Sequence, residues 1–196
     1  VGARLGVLGG TFDPIHVGHR IVAQDVVEAL ELDRMLVVPS ARPPHRDAAL
    51  GPERRLRITR EAFRGDPRME VSDMELRRSG PSYTVDTLEE LRESRSPSEL
   101  YCVIGADQLA EFASWRRPGR IVELAELVVM NRGVREPDPP AELPDLPFRS
   151  VEVTRVELSS TRIRERLDAG RPIRYLVPES VRPEIEAAYR GGRVRT

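Results

Sequence analysis

Gly9-Gly10-Thr11-Phe12-Asp13-Pro14-Ile15-His16-Val17-Gly18-His19 decides the fold, because two kinds of periodicity meet across it. Before it, Arg4 to Leu8 reads as a short buried-type strand. After it, Val17 to Leu30 places Val22, Val26 and Leu30 on one face of a helix. A strand, a glycine turn and a helix in that order form an anion cradle. Gly9 and Gly10 let the backbone approach a bulky anion, and the helix start turns its free N–H groups and positive dipole end toward it. His16 and His19 share a face of the first helical turn, and Gly18 leaves the space between them open, so two imidazole donors can meet one polyphosphate. A zinc site is the competing use of such a pair. No Cys or Glu accompanies it at ligand spacing, which ranks metal ligation low.

Outward from this turn the alternation continues. Arg34 to Val38 reads as a strand, and Pro39 to Gly51 as a breaker-rich loop that ends in a helix started by Pro52. Met69 to Glu75, Leu100 to Ile104, Glu126 to Met130 and Val151 to Val156 read as further strands. Thr84 to Arg92, Asp107 to Phe112, Ser159 to Asp168 and about Pro178 to Tyr189 read as helices. Glu136 to Pro147, rich in proline and acid, reads as a mobile surface loop. Such alternation implies right-handed crossovers and a parallel sheet with helices on both faces. The expected fold is α/β: a Rossmann-like, doubly wound parallel sheet with a small C-terminal helical part from about residue 159 to 196. Residues 1 to 196 are expected to form a single domain.

Bulk properties narrow the partners. The 196 residues are 39% hydrophobic and 32% charged, as in a soluble globular protein. No apolar run approaches the roughly 20 residues that span a bilayer, and the glycine motif comes too early for a signal-peptide pattern. A cytoplasmic address with no membrane partner is expected. The net charge of -1, from 31 basic and 32 acidic residues, argues against polymeric nucleic acid. Every basic residue other than histidine is Arg, so no Lys nucleophile or Lys phosphate clamp is available. Cys102 sits in an apolar strand and reads as a core residue.

Ser159-Ser160-Thr161-Arg162-Ile163-Arg164 is the second constellation. Alone it is an ordinary helix N-cap. Beside the first motif it reads as an anion site, with Arg164 about one turn beyond the hydroxyls.

The two segments together resemble a nucleotidyltransferase superfamily whose first motif carries two histidines after Gly-Thr-Phe-Asp and whose second reads Ser-Ser/Thr-x-x-Arg. Pro39 to Arg46, Ser82 to Leu88, Gly105-Ala106-Asp107 with Trp115 downstream, and Tyr175 to Pro178 narrow it. In this order and spacing the chain resembles bacterial nicotinate mononucleotide adenylyltransferase along nearly its whole length. The resemblance implies an enzyme joining ATP to nicotinate mononucleotide, giving deamido-NAD and pyrophosphate in NAD biosynthesis, with Mg²⁺ arriving with ATP. It implies His16, His19 and Arg164 as catalytic residues. It sets Gly9, Gly10, Thr11, Phe12, Gly18, Ile104, Gly105, Asp107, Ser159, Ser160 and Thr161 around ATP. His45, Arg46, Tyr83, Thr84 and Trp115 fall on the acceptor side, Trp115 stacking on the pyridine ring and Tyr83 and Thr84 offering backbone N–H groups.

No protein residue is expected as a direct metal ligand. Asp13 either places Mg²⁺ through water or stabilises the turn beside Pro14, and the sequence leaves both open. A homo-oligomer is likewise left open. The rival readings are a nicotinamide mononucleotide or phosphopantetheine adenylyltransferase, a cytidylyltransferase, a class I aminoacyl-tRNA synthetase fragment, and a non-catalytic nucleotide-sensing module. The synthetase fragment is disfavoured by the short, non-basic chain.

Overall fold

Four strands carry near-continuous apolar runs, and a strand of that kind must be covered on both faces. They are β1 (Arg4–Gly10), β2 (Arg34–Pro39), β4 (Glu99–Gly105) and β5 (Glu126–Asn131). With the short edge strands β3 (Met69–Val71) and β6 (Arg149–Glu152) they form one parallel sheet in the order β3-β2-β1-β4-β5-β6. The structure is a computed structural model that describes residues 3–44, 47–95, 97–133 and 135–190.

Side chains divide between the faces by the two-residue period of a strand. Val37, Val103 and Val128 enter one core beneath α1 (Val17–Ala29) and α2 (Pro52–Ala62). Leu36, Val38, Cys102, Ile104 and Val129 enter the other, beneath α4 (Thr84–Arg95) and α6 (Pro118–Leu124). The helices α7 (Ser160–Asp168) and α8 (Arg182–Arg190) add Ile163, Leu167 and Ile185 to the first core, so the C-terminal part shares a core with α1. Cys102 is buried as expected, and burial pushes its thiol up to about 12.

The strand order reverses at β1, which pairs with β2 on one side and β4 on the other. In such sheets the crevice opens beyond the carboxyl ends of the strands at that reversal. The glycine turn after β1 and Gly105 at the end of β4 both stand there.

Four segments depart from the sequence reading. The strand expected over Met69 to Glu75 stops at Val71, because the Ser72 hydroxyl accepts the Met74 N–H at 3.2 Å and opens a helical turn, α3 (Met74–Arg77). The strand expected to reach Val156 ends at Glu152, and the Thr154 N–H turns away to donate to Asp25 of α1 at 2.6 Å. The last helix begins at Arg182, after a turn closed by the Val181 N–H on the Pro178 carbonyl. Glu136 to Pro147 is irregular, yet Pro140 is buried and Leu143 and Leu146 pack against the second core, so the segment is anchored by its apolar residues. Three short elements between Ala106 and Leu124 also differ. The helix α5 covers Ala106–Ala110 and a 3₁₀ turn covers Phe112–Ser114, whereas α6 had no counterpart in the sequence reading.

Candidate functional site

The turn after β1 is held in a conformation that few residues accept. Phe12 has φ 48°, the left-handed region, which costs a non-glycine residue about 1–2 kcal/mol. Its ring is buried and meets the His19 ring edge-on at 5.1 Å, and this packing offsets the strain. A Cβ on Gly10 would stand 2.9 Å from the Phe12 ring, so glycine is required there by close approach. A Cβ on Gly9 would meet nothing within 4 Å, which leaves open space before the strand end.

His16 occupies the N-cap of α1 and His19 lies in its first turn. Their rings stack at 3.7 Å with an interplanar angle of 25°. The His16 N–H donates to His19 Nδ1 at 3.2 Å, so the neutral His19 ring carries its proton on Nε2, which is left as a donor. Burial, with a smaller contribution from the nearby Arg132 charge, lowers the His16 pKa to about 4. Burial holds His19 well below the ordinary histidine value, helped by His16 and Arg132. Both rings are therefore neutral hydrogen-bond donors near pH 7. The two imidazole donors read from the sequence thus act as neutral dipoles and not as cations. His16 Nδ1 is buried without a hydrogen-bond partner among the described residues. A Cβ on Gly18 would stand 3.0 Å from that nitrogen, so glycine there makes room for the ring.

The second constellation docks on the first. Ser159 caps α7, its Oγ accepting the Arg162 N–H at 3.2 Å. The Ser160 hydroxyl donates to the Pro14 carbonyl at 2.8 Å. Arg164 Nη1 donates to the Asp13 carbonyl at 2.6 Å, and Nη2 donates to the Thr161 hydroxyl at 3.2 Å. The guanidinium keeps a third of its side-chain surface exposed, which leaves it able to meet an anion beside the turn.

Asp13 is structural in this arrangement. One carboxylate oxygen accepts the Ala49 N–H at 2.6 Å; the other accepts the Leu50 N–H at 3.2 Å and the Tyr189 hydroxyl at 2.5 Å. Desolvation and the Asp13 carboxylate push the Tyr189 phenol far above its ordinary value, so it stays protonated as a donor. Of the two roles the sequence left open, these three hydrogen bonds favour holding the turn.

Gly105 ends β4, and its N–H donates to Gln108 Oε1 at 2.9 Å. A Cβ there would stand 2.4 Å from Asp107 Oδ1. Asp107 itself is exposed at the start of α5, whereas the Ile104 side chain is buried in the core, so only its backbone can border the crevice. On the same side of the sheet, Tyr83 and Trp115 pack on the second core, Trp115 against Phe112 at 5.3 Å. Tyr83 precedes α4 and Thr84 begins it, where helix N–H groups have no intrahelical acceptor. His45 and Arg46 lie outside the described residues.

Several residues were missed by the sequence reading. Arg132, just beyond β5, lines a cavity of about 610 Å³ with Arg155, Leu158, Ser159 and Arg162. Its signal was position, since it follows a strand end beside the switch point. Arg116 lies over the Tyr83 ring at 4.7 Å, and no spacing rule foretells that pair. The buried Arg55 donates to three backbone carbonyls: Thr11 at 2.7 Å, Leu50 at 2.9 Å and Ala41 at 3.2 Å.

A model of the cytidylyltransferase-like family matches residues 7–166. The chain is 45% identical over 183 residues to a probable nicotinate-nucleotide adenylyltransferase of Thermus thermophilus, covering 93% of this chain and 96% of that protein. It is 44% identical to the protein of the same description from a Roseiflexus species, covering 94% and 96%. Among solved structures, Plasmodium falciparum nicotinic acid mononucleotide adenylyltransferase complexed with NaAD aligns with a TM-score of 0.78, over 95% of this chain and 96% of that one. A putative nicotinate-nucleotide adenylyltransferase from Vibrio parahaemolyticus aligns with a TM-score of 0.69 over 97% of each chain. At 17% and 21% identity these two likenesses concern the fold: a six-stranded parallel sheet flanked by helices.

Proposed function

The chain belongs to the cytidylyltransferase-like family and, within it, to the nicotinate-nucleotide adenylyltransferases, and on that premise we propose that it transfers the adenylyl group of ATP to nicotinate mononucleotide, releasing pyrophosphate. The observation that carries the reading is the docking of Ser160 and Arg164 onto the Pro14 and Asp13 carbonyls, which assembles both phosphate-directed motifs at the switch point of the sheet.

In this reading the triphosphate lies over Gly9 to Phe12. Its oxygens take hydrogen bonds from His19 Nε2, from the unpartnered His16 ring nitrogen and from Arg164. Gly105 and Asp107 border the adenosine. The acceptor lies on the side of Tyr83, Thr84 and Trp115, with the nicotinate carboxylate on the helix-start N–H groups and the pyridine ring on Trp115. A carboxylate satisfies two N–H donors, whereas an amide turns a donor of its own toward them, so the acid form is preferred. The acceptor's 5'-phosphate is ionised near neutral pH and attacks the α-phosphorus in line without a base. Rate enhancement then rests on alignment and on donors aimed at developing charge. Positive charge comes from Arg164, while the neutral histidines contribute dipoles without ionic repulsion between their stacked rings.

The donor set does not suit a resident metal centre. Asp13 is committed to three donors, and the described residues hold no cluster of three or more His, Cys, Asp or Glu able to hold an ion. Mg²⁺ fits as part of the substrate, carried on phosphate oxygens and waters. No described helix is long and apolar enough to cross a membrane. With small soluble substrates, the reading is of a cytoplasmic protein.

The test is pyrophosphate release from ATP with nicotinate mononucleotide, nicotinamide mononucleotide and phosphopantetheine in parallel. The nicotinate form turns over fastest on this reading. Faster turnover with either other acceptor overturns the assignment of substrate, and no release with any acceptor overturns the assignment of reaction.

A further inference from the structure

A buried arginine is an expensive way to fill a core, because desolvating the cation costs several kcal/mol and an apolar residue of like volume often serves stability as well. Arg55 is only 1% exposed and joins none of the described ion pairs, the Asp13 charge offsetting only part of its desolvation. What it does have is one guanidinium fork on three carbonyls from two segments, the phosphate turn and the two ends of the proline-rich loop. Nη1 reaches Thr11 in the phosphate turn, Nη2 reaches Ala41 at one end of the proline-rich loop, and Nε reaches Leu50 at the other. The opposite polarity of the same segments is taken by two other side chains. Asp13, in the phosphate turn, accepts the Ala49 and Leu50 N–H groups. The Ser82 hydroxyl, beside Tyr83, accepts the N–H groups of Ala41 at 3.0 Å and Arg42 at 3.1 Å, and the Ser82 N–H donates to the Arg42 carbonyl at 2.9 Å.

The chain Thr11, Arg55, Ala41, Ser82 thus runs without a gap from the turn assigned to ATP to the helix start assigned to the acceptor. We propose that Arg55 is a positioning residue that sets the distance and angle between the donor and acceptor half-sites, with Ser82 as the second joint of the same bridge. This rests on the adenylyl-transfer reading above. Neither residue touches a substrate. Each half-site keeps its own ligand contacts if the bridge is cut, but the attacking oxygen and the α-phosphorus lose their alignment. A displacement of about 1 Å is enough to cost on the order of 10²-fold in rate. An arginine suits the task because its planar fork fixes three carbonyls at once, which a lysine ammonium on a flexible stem does not reproduce.

The experiment compares wild type, Arg55→Lys and Ser82→Ala, each checked for folding by circular dichroism. ATP and nicotinate mononucleotide binding are measured separately by calorimetry, and the chemical step by single-turnover rate with both substrates saturating. Wild-type turnover is measured first, so a failure of the functional reading appears there and is distinct from a failure of the bridge. The expected result for Arg55→Lys is binding of each substrate within threefold of wild type and a single-turnover rate lowered about 10²-fold. Ser82→Ala, which removes one joint and keeps the other, is expected to lower the rate about tenfold with binding likewise spared. A folded Arg55→Lys with a rate within threefold of wild type overturns the proposal, as does loss of binding in step with loss of rate, the mark of a merely structural residue. If Arg55→Lys does not fold, Ser82→Ala decides: a rate within threefold of wild type overturns the bridge.

Discussion

Acidifying the protein from pH 7 to pH 4.5 should destabilise it through His16 by an amount the structure sets. The ring is 5% exposed, and burial with the nearby Arg132 charge lowers its pKa from the ordinary 6.5 to about 4. Above pH 6.5 the ring is neutral in both folded and unfolded chains and contributes no pH dependence. As pH falls below 6.5 the unfolded chain takes up a proton that the folded chain refuses, so stability declines until the folded pKa is reached. At pH 4.5 the difference amounts to about 2.5 kcal/mol for this one group. The assay is urea unfolding at pH 7 and pH 4.5 for wild type and His16→Asn, whose amide does not titrate. Contributions from the carboxylates cancel in the difference between the two proteins. His16→Asn should lose about 2.5 kcal/mol less than wild type on acidification, whatever its stability at pH 7. Equal acid losses in the two proteins, within about 0.5 kcal/mol, would refute the claim that the ring is held neutral by burial.

Replacing His19 by Ala removes the Nε2 donor that the His16 N–H orients, and turnover should fall about 10²-fold in steady-state assays. A folded variant with near-normal turnover would remove His19 from the mechanism. For Trp115→Ala, calorimetry should find weakened acceptor binding with ATP binding spared. Equal losses for both substrates would count against stacking on the pyridine ring. Tyr189→Phe deletes the hydroxyl that donates to Asp13, and urea midpoints should report a loss of about 1.5–3 kcal/mol, the scale for a hydrogen bond to a charged group. An unchanged midpoint would mean that water replaces the phenol at Asp13.

What sequence could and could not reach follows from the range of the interactions involved. Strand β1, the glycine turn and α1 were legible because their signals are local: an apolar run, two glycines and a 3.6-residue stripe within residues 4 to 30. The pairing of Gly9–His19 with Ser159–Arg164 was legible only as an association of motifs. The contacts that realise it, Ser160 to Pro14 and Arg164 to Asp13, span 146 and 151 residues. Protonation was beyond reach for a different reason. Spacing shows that two histidines share a turn, but their neutrality depends on burial beneath segments distant in sequence and on Arg132 beyond β5. Asp13 makes the same point with the sign reversed. Beside Pro14 in a phosphate turn it reads equally as a metal helper or a turn stabiliser. Its partners decide between them, and they come from residues 49, 50 and 189. Arg55 left no sequence signal at all, since in a helix reading Pro-Glu-Arg-Arg-Leu-Arg it is one arginine among several. Only the three carbonyls around its guanidinium set it apart, and they belong to the phosphate turn and to the loop that the Ser82 hydroxyl holds at Ala41 and Arg42.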